Sequence, residues 1–301
     1  MSADAPHLLL VNPSAGHGRA RDLLPRATRA LASHGIEHRV VETTGIDHGT
    51  VEARMAAGAG EVVLVMSGDG LVGQVGGALA NTGGTLGVIP GGRGNDFARV
   101  LGIPSEIEEA VAVLAAGAIR EIDVGEVNGL PFLGIASCGF DSDANRIANE
   151  ARRVKGRAVY LYAALRALWE WKPARFALTL DSEPAAFTGY AVAAANSRAY
   201  GGGMYIAPHA ELDDGLLDVV WTAEVGKLRY LANLPKVFKG AHVDEAQVTV
   251  RRAAEVRIEA DRPFAVYADG DHLTDLPATV RVLRRALRVI APPGGALVGP
   301  G

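Results

Sequence analysis

The chain reads as an N-terminal doubly wound α/β domain followed by a C-terminal β-sandwich domain. Three observations predict this. Over residues 7–124 short apolar runs alternate with amphipathic stretches, the βαβα order of a parallel sheet covered on both faces. After Ile119 the pattern changes to short alternating strands. At 301 residues the chain has the length of two ordinary domains. The expected parts are 1–124, 125–291 and a Gly/Pro-rich tail at 292–301.

The elements follow in order. Leu8-Leu9-Leu10-Val11 predicts a short buried strand stopped by Asn12-Pro13 and Gly16, and Leu23, Leu24, Ala27, Ala30 and Leu31 form one face of a helix over 19–34. A strand at 38–42 and a helix at 49–58 come next. Val62-Val63-Leu64-Val65, within 61–66, is continuous apolar sequence of the kind that fills a parallel sheet. A helix at 73–80, a strand at 86–89 and a helix at 105–116 complete the first part. The second part is predicted as strands at 119–127, 131–136, 175–181, 188–195, 216–221, 247–250, 254–260, 264–268 and 279–290. Glu255-Val256-Arg257-Ile258-Glu259 shows the period of two most clearly. Helices at 143–171 and 226–239 interrupt these strands.

Composition excludes several classes. A hydrophobic share of 49% with 21% charged residues excludes long disorder. A net charge of -4 argues against nucleic acid held by bulk charge. The single Cys138 excludes an intrachain disulfide and fits a reducing compartment. No apolar stretch approaches the length of a transmembrane segment, and the first residues lack a signal-peptide pattern. Only five of 30 basic residues are lysine, the first being Lys155, so any phosphate site in the N-terminal half must use backbone amides, arginine or metal. The 37 glycines suit such a site.

Two glycine-rich segments carry the chemistry. Ser67-Gly68-Asp69-Gly70-Leu71-Val72-Gly73-Gln74 follows a buried strand and opens a helix. It contains G-x-G-x-x-G, but after the third strand rather than the first, and with an acid where a dinucleotide pyrophosphate would lie. A loop holding nucleotide phosphates by free amides at a helix start fits better than NAD-type binding or a plain turn, with Asp69 near a metal or a transferring phosphoryl group. Pro90-Gly91-Gly92-Arg93-Gly94-Asn95-Asp96 also follows a strand and makes an anion nest, in which Asn95 and Asp96 orient a nucleotide or a magnesium-bound water. A glycine-rich connection capped by Asn95 or Asp96 is the plainer alternative. Asn12-Pro13-Ser14-Ala15-Gly16 adds a third wall if all three open at one sheet edge.

With Phe97-Ala98-Arg99 completing the second loop, these segments resemble the diacylglycerol kinase catalytic family, which includes soluble bacterial lipid kinases and sphingosine kinases. Further matches are Ser137-Cys138-Gly139-Phe140-Asp141, Lys155-Gly156-Arg157, Asn196 through Gly201-Gly202-Gly203, Asp213-Asp214-Gly215-Leu216-Leu217-Asp218 and Asp269-Gly270-Asp271. The resemblance covers most of the chain and implies a fold of the NAD kinase/diacylglycerol kinase type with ATP between the halves. Leu71 stands where the family has threonine, Gln74 and Asp271 where it has glutamate, and Arg93 where it has threonine. Arginine offers a charge-assisted replacement for the lost hydroxyl contact.

By this resemblance Asn12, Gly16, Thr43, Ser67, Gly68, Asp69, Gly70, Leu71 and Gln74 line the ATP site. Gly92, Arg93, Asn95 and Asp96 lie near the phosphates, with Asp269 joining from the second half. Mg2+ is implied at Asp213, the Leu216 carbonyl and Asp218, oxygen ligation that suits a hard cation. Asp271 is the implied general base and Asp69 its rival. The expected activity is ATP- and Mg2+-dependent transfer of the γ-phosphoryl group to diacylglycerol or a related lipid alcohol. Two alternatives are an NAD kinase and a non-catalytic lipid- or nucleotide-binding relative. The expected partner is a lipid at a membrane surface, the place cytoplasmic and peripheral at the inner membrane, and a homodimer is allowed. Residues 144–175 carry eight basic residues against Glu150 and Glu170, beside Tyr160, Tyr162, Trp169 and Trp171. Such a stretch suits an anionic lipid surface or, more plainly, an amphipathic helix with a solvated face.

Overall fold

The computed structural model describes residues 6–140 and 171–292. The predicted helix at 143–171, nearly all of the basic aromatic stretch and the tail therefore lie outside the described residues.

The first part is a parallel sheet in the order β4-β3-β1-β2, formed by β1 (His7–Val11), β2 (His38–Glu42), β3 (Val62–Ser67) and β4 (Thr85–Pro90). The residues of β1, β3 and β4 are all buried, as continuous apolar runs require of central strands, while β2 is a half-exposed edge. Helices cover both faces. On one side α1 (Arg19–Ser33) packs with α5 (Ile107–Ala116) over Leu9, Leu64 and Ile89. On the other α2 (Ile46–Gly58) packs with α3 (Asp69–Leu79) over Leu8, Val63 and Leu86. Two differences from expectation fall at the glycine loops. The helix expected at 73–80 begins at Asp69, because Gly68 is extended at the N-cap and an acidic residue suits the first turn. A short α4 (Asp96–Val100) follows the second glycine loop.

The second part is antiparallel. Its strands are β5 (Ala118–Val127), β6 (Leu130–Phe132), β7 (Ile135–Gly139), β8 (Ala174–Leu180), β9 (Glu183–Ala195), β10 (Leu217–Ala223), β11 (Val248–Ala253), β12 (Glu255–Ala260), β13 (Ala265–Ala268), β14 (Asp271–Asp275) and β15 (Ala278–Ala291). Strand β9 turns the corner: residues 183–189 pair with β8, and 191–195 pair with β7 and β10. Between the strands lies an aromatic core in which Tyr190 stacks on Tyr230, from α6 (Lys227–Val237), and Phe176 on Phe264. The strand expected at 131–136 is two strands, split at Leu133 and Gly134 because the amides there are drawn to a side chain.

The two parts share one hydrogen-bonded sheet. Arg288 and Val289 of β15 pair in parallel with Thr85 and Leu86 of β4, while β15 pairs along its length with β5. The 124/125 boundary read from sequence falls inside β5.

Candidate functional site

All four N-terminal strands run in parallel, so the loops after them open at one edge. The chain order reverses between β1 and β3, the switch point at which a sheet of this class leaves a crevice. The sequence puts its glycines there. A Cβ on Gly92 would stand 2.3 Å from the Gly68 Cα, and one on Gly16, whose φ is +61°, would stand 2.9 Å from the Gly91 carbonyl oxygen. The three loops thus meet backbone to backbone, an approach that other residues forbid.

Several side chains named from sequence hold this rim together. Asn12 accepts from the Ser14 amide at 3.0 Å. Asn95, in the left-handed region, accepts from the Gly92 amide at 2.9 Å and donates to the Gly92 carbonyl at 3.2 Å. Its side chain therefore staples its own loop, where orientation of a nucleotide or a bound water was expected. It sits at the α4 N-cap without a side-chain capping bond. The capping contact comes from Asp69, whose Oδ1 accepts from the Phe97 amide at 3.1 Å. Asp96 pairs with Arg99 and accepts from the Gly202 amide at 2.6 Å, fastening the 201–203 glycine loop to the rim. Arg93 is exposed and lies 2.6 Å from His17 Nε2, bridging the first and fourth loops. Thr43 is buried, its amide donating to the Val11 carbonyl at 2.8 Å. Ser67 is buried at the end of β3. Gly70 and Leu71 stand in the first turn of α3, and the Leu71 side chain is buried against Gly49 of α2, leaving only its backbone for the rim.

The second part delivers its hairpin to the same place. Asp269, at the β13–β14 turn, accepts from the amides of Leu133 (2.9 Å), Gly134 (3.0 Å) and Ile135 (3.2 Å). Its carboxylate is packed against Gly73 of α3. Burial pushes its pKa up to about 6, against the amides and with Asp69 adding repulsion. Burial also raises Asp69, with Asp96 adding to it. Asp69 and Asp269, from opposite halves, are electrostatic neighbours. Asp271, two residues on, lines a cleft of about 760 Å3 with Gln74, Thr44, His48 and His272. Of the two proposed bases, Asp69 opens α3 and is buried, while Asp271 lines the open cleft with Gln74 of the same helix.

The acidic loop lies elsewhere. Asp213 pairs with Arg120 at 2.9 Å and Asp214 with Arg252. Asp218 is buried at the start of β10 and accepts no hydrogen bond from the described residues, and burial pushes its pKa up to about 6. Asp218, two residues after Leu216, accepts no such hydrogen bond but has His209 and Arg198 as electrostatic neighbours, so it offers a hard cation one buried carboxylate, whereas Asp213 is already matched by arginine. No three His, Cys, Asp or Glu side chains gather into a cation cage among the described residues.

Two residues that organise the site stand outside the site residues expected from sequence, Asn196 having been noted there only as part of the family match. Asp123, 1% exposed, accepts from the amides of Gly215 (2.6 Å) and Arg285 (2.7 Å). Asn196 donates to the carbonyls of Asp123 (3.1 Å) and Leu133 (2.9 Å), bracing the segment whose amides hold Asp269. Their signal is a polar residue at an inward position of a buried strand or at its end, which periodicity alone assigns to the core.

Comparison with known proteins agrees with this geometry. Residues 6–127 match the family model described as diacylglycerol kinase catalytic domain, and residues 134–291 match the YegS C-terminal NAD kinase beta sandwich-like domain. A diacylglycerol kinase of Mycobacterium tuberculosis is 37% identical over 95% of this chain and 95% of its own. A Pseudomonas aeruginosa protein named probable lipid kinase YegS-like is 33% identical over 99% and 98%. The crystal structure of a diacylglycerol kinase from Bacillus anthracis str. Sterne shares the fold, with a TM-score of 0.75 at 24% identity and coverage of 98% of each chain.

Proposed function

The chain belongs to the diacylglycerol kinase family of lipid kinases, and on that premise we propose that it transfers the γ-phosphoryl group of ATP to the hydroxyl of diacylglycerol or a related lipid alcohol, giving phosphatidic acid or an analogous lipid phosphate. The observation that carries this reading is the meeting of Gly16, Gly68 and Gly92 at one sheet edge, with the Asp269 turn of the second part packed on Gly73 of the helix that opens there. Such a rim offers backbone amides to phosphates where the N-terminal half has no lysine. Arg93, spanning two of the loops, supplies a cation there.

Phosphoryl transfer asks the protein for positioning, charge neutralisation and a base. Asp271 is half-buried in the open cleft and accepts the proton of the lipid hydroxyl. Asp69 fixes the first turn of α3 against α4, and Asp269 fixes the hairpin that carries Asp271. Asp218, the Leu216 carbonyl and Asp213, which Arg120 now holds, would be the residues to hold a Mg2+, and such an ion would supply positive charge at the acidic loop. Two domains are proposed, a nucleotide-binding part over 1–124 and an acceptor part over 125–291, with a tail at 292–301 and with β5 running across the boundary between them. A lipid substrate places the protein at a membrane surface, and no helix among the described residues is long and apolar enough to cross one.

The test is an assay with radiolabelled ATP over a panel of lipid alcohols, with the product identified and NAD included as acceptor. Label in a lipid phosphate supports the reading. Label in NADP, or ATP unconsumed with every lipid, overturns it.

A further inference from the structure

A second groove, of about 640 Å3, lies away from the glycine rim and is lined by Arg120, Arg285, Arg288, Ile119, Glu121 and Asp213. Arg288 pairs in register with Thr85, the first residue of β4, and donates to the Gly83 carbonyl at 3.3 Å. The groove therefore sits at the amino end of β4, whereas the rim lies past its carboxyl end.

The backbone here is shaped to display an arginine. On β15, Leu283 faces Val124 and Leu287 faces Ile122, so residues 284–286 oppose Asp123 alone. This bulge puts Arg285 at φ +49°, a left-handed conformation that costs a non-glycine residue roughly 1 kcal/mol. The buried Asp123 holds it by the Arg285 amide, at the expense of a fully buried carboxylate. Glycine would take this turn without strain, yet the chain has arginine. The Arg285 guanidinium is exposed and has no hydrogen bond or ion pair among the described residues. Its companions are partly matched: Arg120 holds Asp213 at 2.9 Å, and Arg288 faces Glu121 across the strands. An anion arriving here meets one unpartnered cation and two more that it can share.

We propose that this groove is a phosphate site, binding a phosphate dianion through Arg285, Arg288 and Arg120. The dianion is free phosphate or the head group of a phosphorylated lipid. None of the three arginines belongs to the glycine rim, although the groove shares Asp213 and its partner Arg120 with the acidic loop proposed for Mg2+.

The test is calorimetric titration of the full chain with inorganic phosphate, carried out with a saturating non-hydrolysable ATP analogue so that the rim is filled. Arg285→Gly retains the left-handed turn and is expected to fold with an unchanged or higher melting temperature. Arg288→Glu is the second variant. Saturable binding in the parent, weakened at least tenfold in both variants, supports the proposal. Sedimentation with phosphatidylcholine vesicles containing phosphatidate then separates the sources: Arg285-dependent retention assigns a lipid head group, and retention unaffected by Arg285→Gly assigns free phosphate. No phosphate binding in the parent, or parent-like affinity in both variants, overturns it.

Discussion

The Oδ1 atom of Asp69 accepts a 3.1 Å hydrogen bond from the amide of Phe97, joining the start of the helix after β3 to the start of the helix after β4. A residue so placed serves structure and chemistry together, and two substitutions separate them. Asp69→Ala leaves the buried Phe97 amide unpaired and is expected to lower stability by about 1–3 kcal/mol. Asp69→Asn keeps an acceptor and removes a charge that burial and Asp96 disfavour, so its stability at pH 7 should equal or exceed the parent's. If the charge acts in transfer, Asp69→Asn loses at least 100-fold in kcat all the same. Thermal unfolding beside a kinase assay checks this, and full turnover in Asp69→Asn would reduce Asp69 to a cap.

Asp271 should behave differently. It is half-buried in an open cleft, so Asp271→Asn is expected to leave the melting temperature within about 2 °C of the parent's, as surface changes do. As a general base it contributes roughly 100- to 10,000-fold, which should appear in kcat with the KM for ATP little changed. A rise in KM alone would make it a binding residue.

Stability should fall as pH rises through the window from about 4 to 6. Asp218 and Asp269 ionise near 3.8 in the unfolded chain and near 6 in the folded one, both because of burial. Between those values the folded state holds more protons, so raising pH favours unfolding, by up to about 3 kcal/mol for each group. Asp218→Asn should remove its share of the slope. If Asp218 ligates Mg2+, millimolar Mg2+ at pH 7 should raise the melting temperature of the parent and not of Asp218→Asn. An equal rise in both would place the cation elsewhere.

The contrast between Asp271 and Asp269 shows how far the sequence can be read. The alternation of strands and helices, the two halves and the glycine loops follow from local patterns: apolar runs, alternation and glycine after a strand. Contacts made across the fold do not. Nothing near Asp269 indicates that its carboxylate will be held by amides of Leu133, Gly134 and Ile135, more than 130 residues away in sequence. Asn95 likewise reads as a ligand-facing residue until its loop closes on it. Asp123 looks like one more polar residue in a strand, and its role appears only when β15 bulges past it.

The closest backbone approach at the rim gives the last prediction. Gly92→Ala would set a Cβ 2.3 Å from the Gly68 Cα and 3.0 Å from the Asn95 Oδ1. Neither neighbour is a flexible side-chain end: one is backbone, and the other is fixed by two hydrogen bonds to residue 92 itself. The loops must part, at a cost of about 1–3 kcal/mol by analogy with overpacked cores. Parting them also spoils the amide nest, so nucleotide affinity should fall by more than stability alone explains. Gly70→Ala is the control, because a Cβ there meets nothing within 4 Å and the residue is already helical. Its stability should match or exceed the parent's by up to about 1 kcal/mol. Equilibrium binding of an ATP analogue to both variants, beside their thermal unfolding, decides the matter. Parent-like affinity in Gly92→Ala would mean that the contact between the β3 and β4 loops is not what shapes the phosphate site.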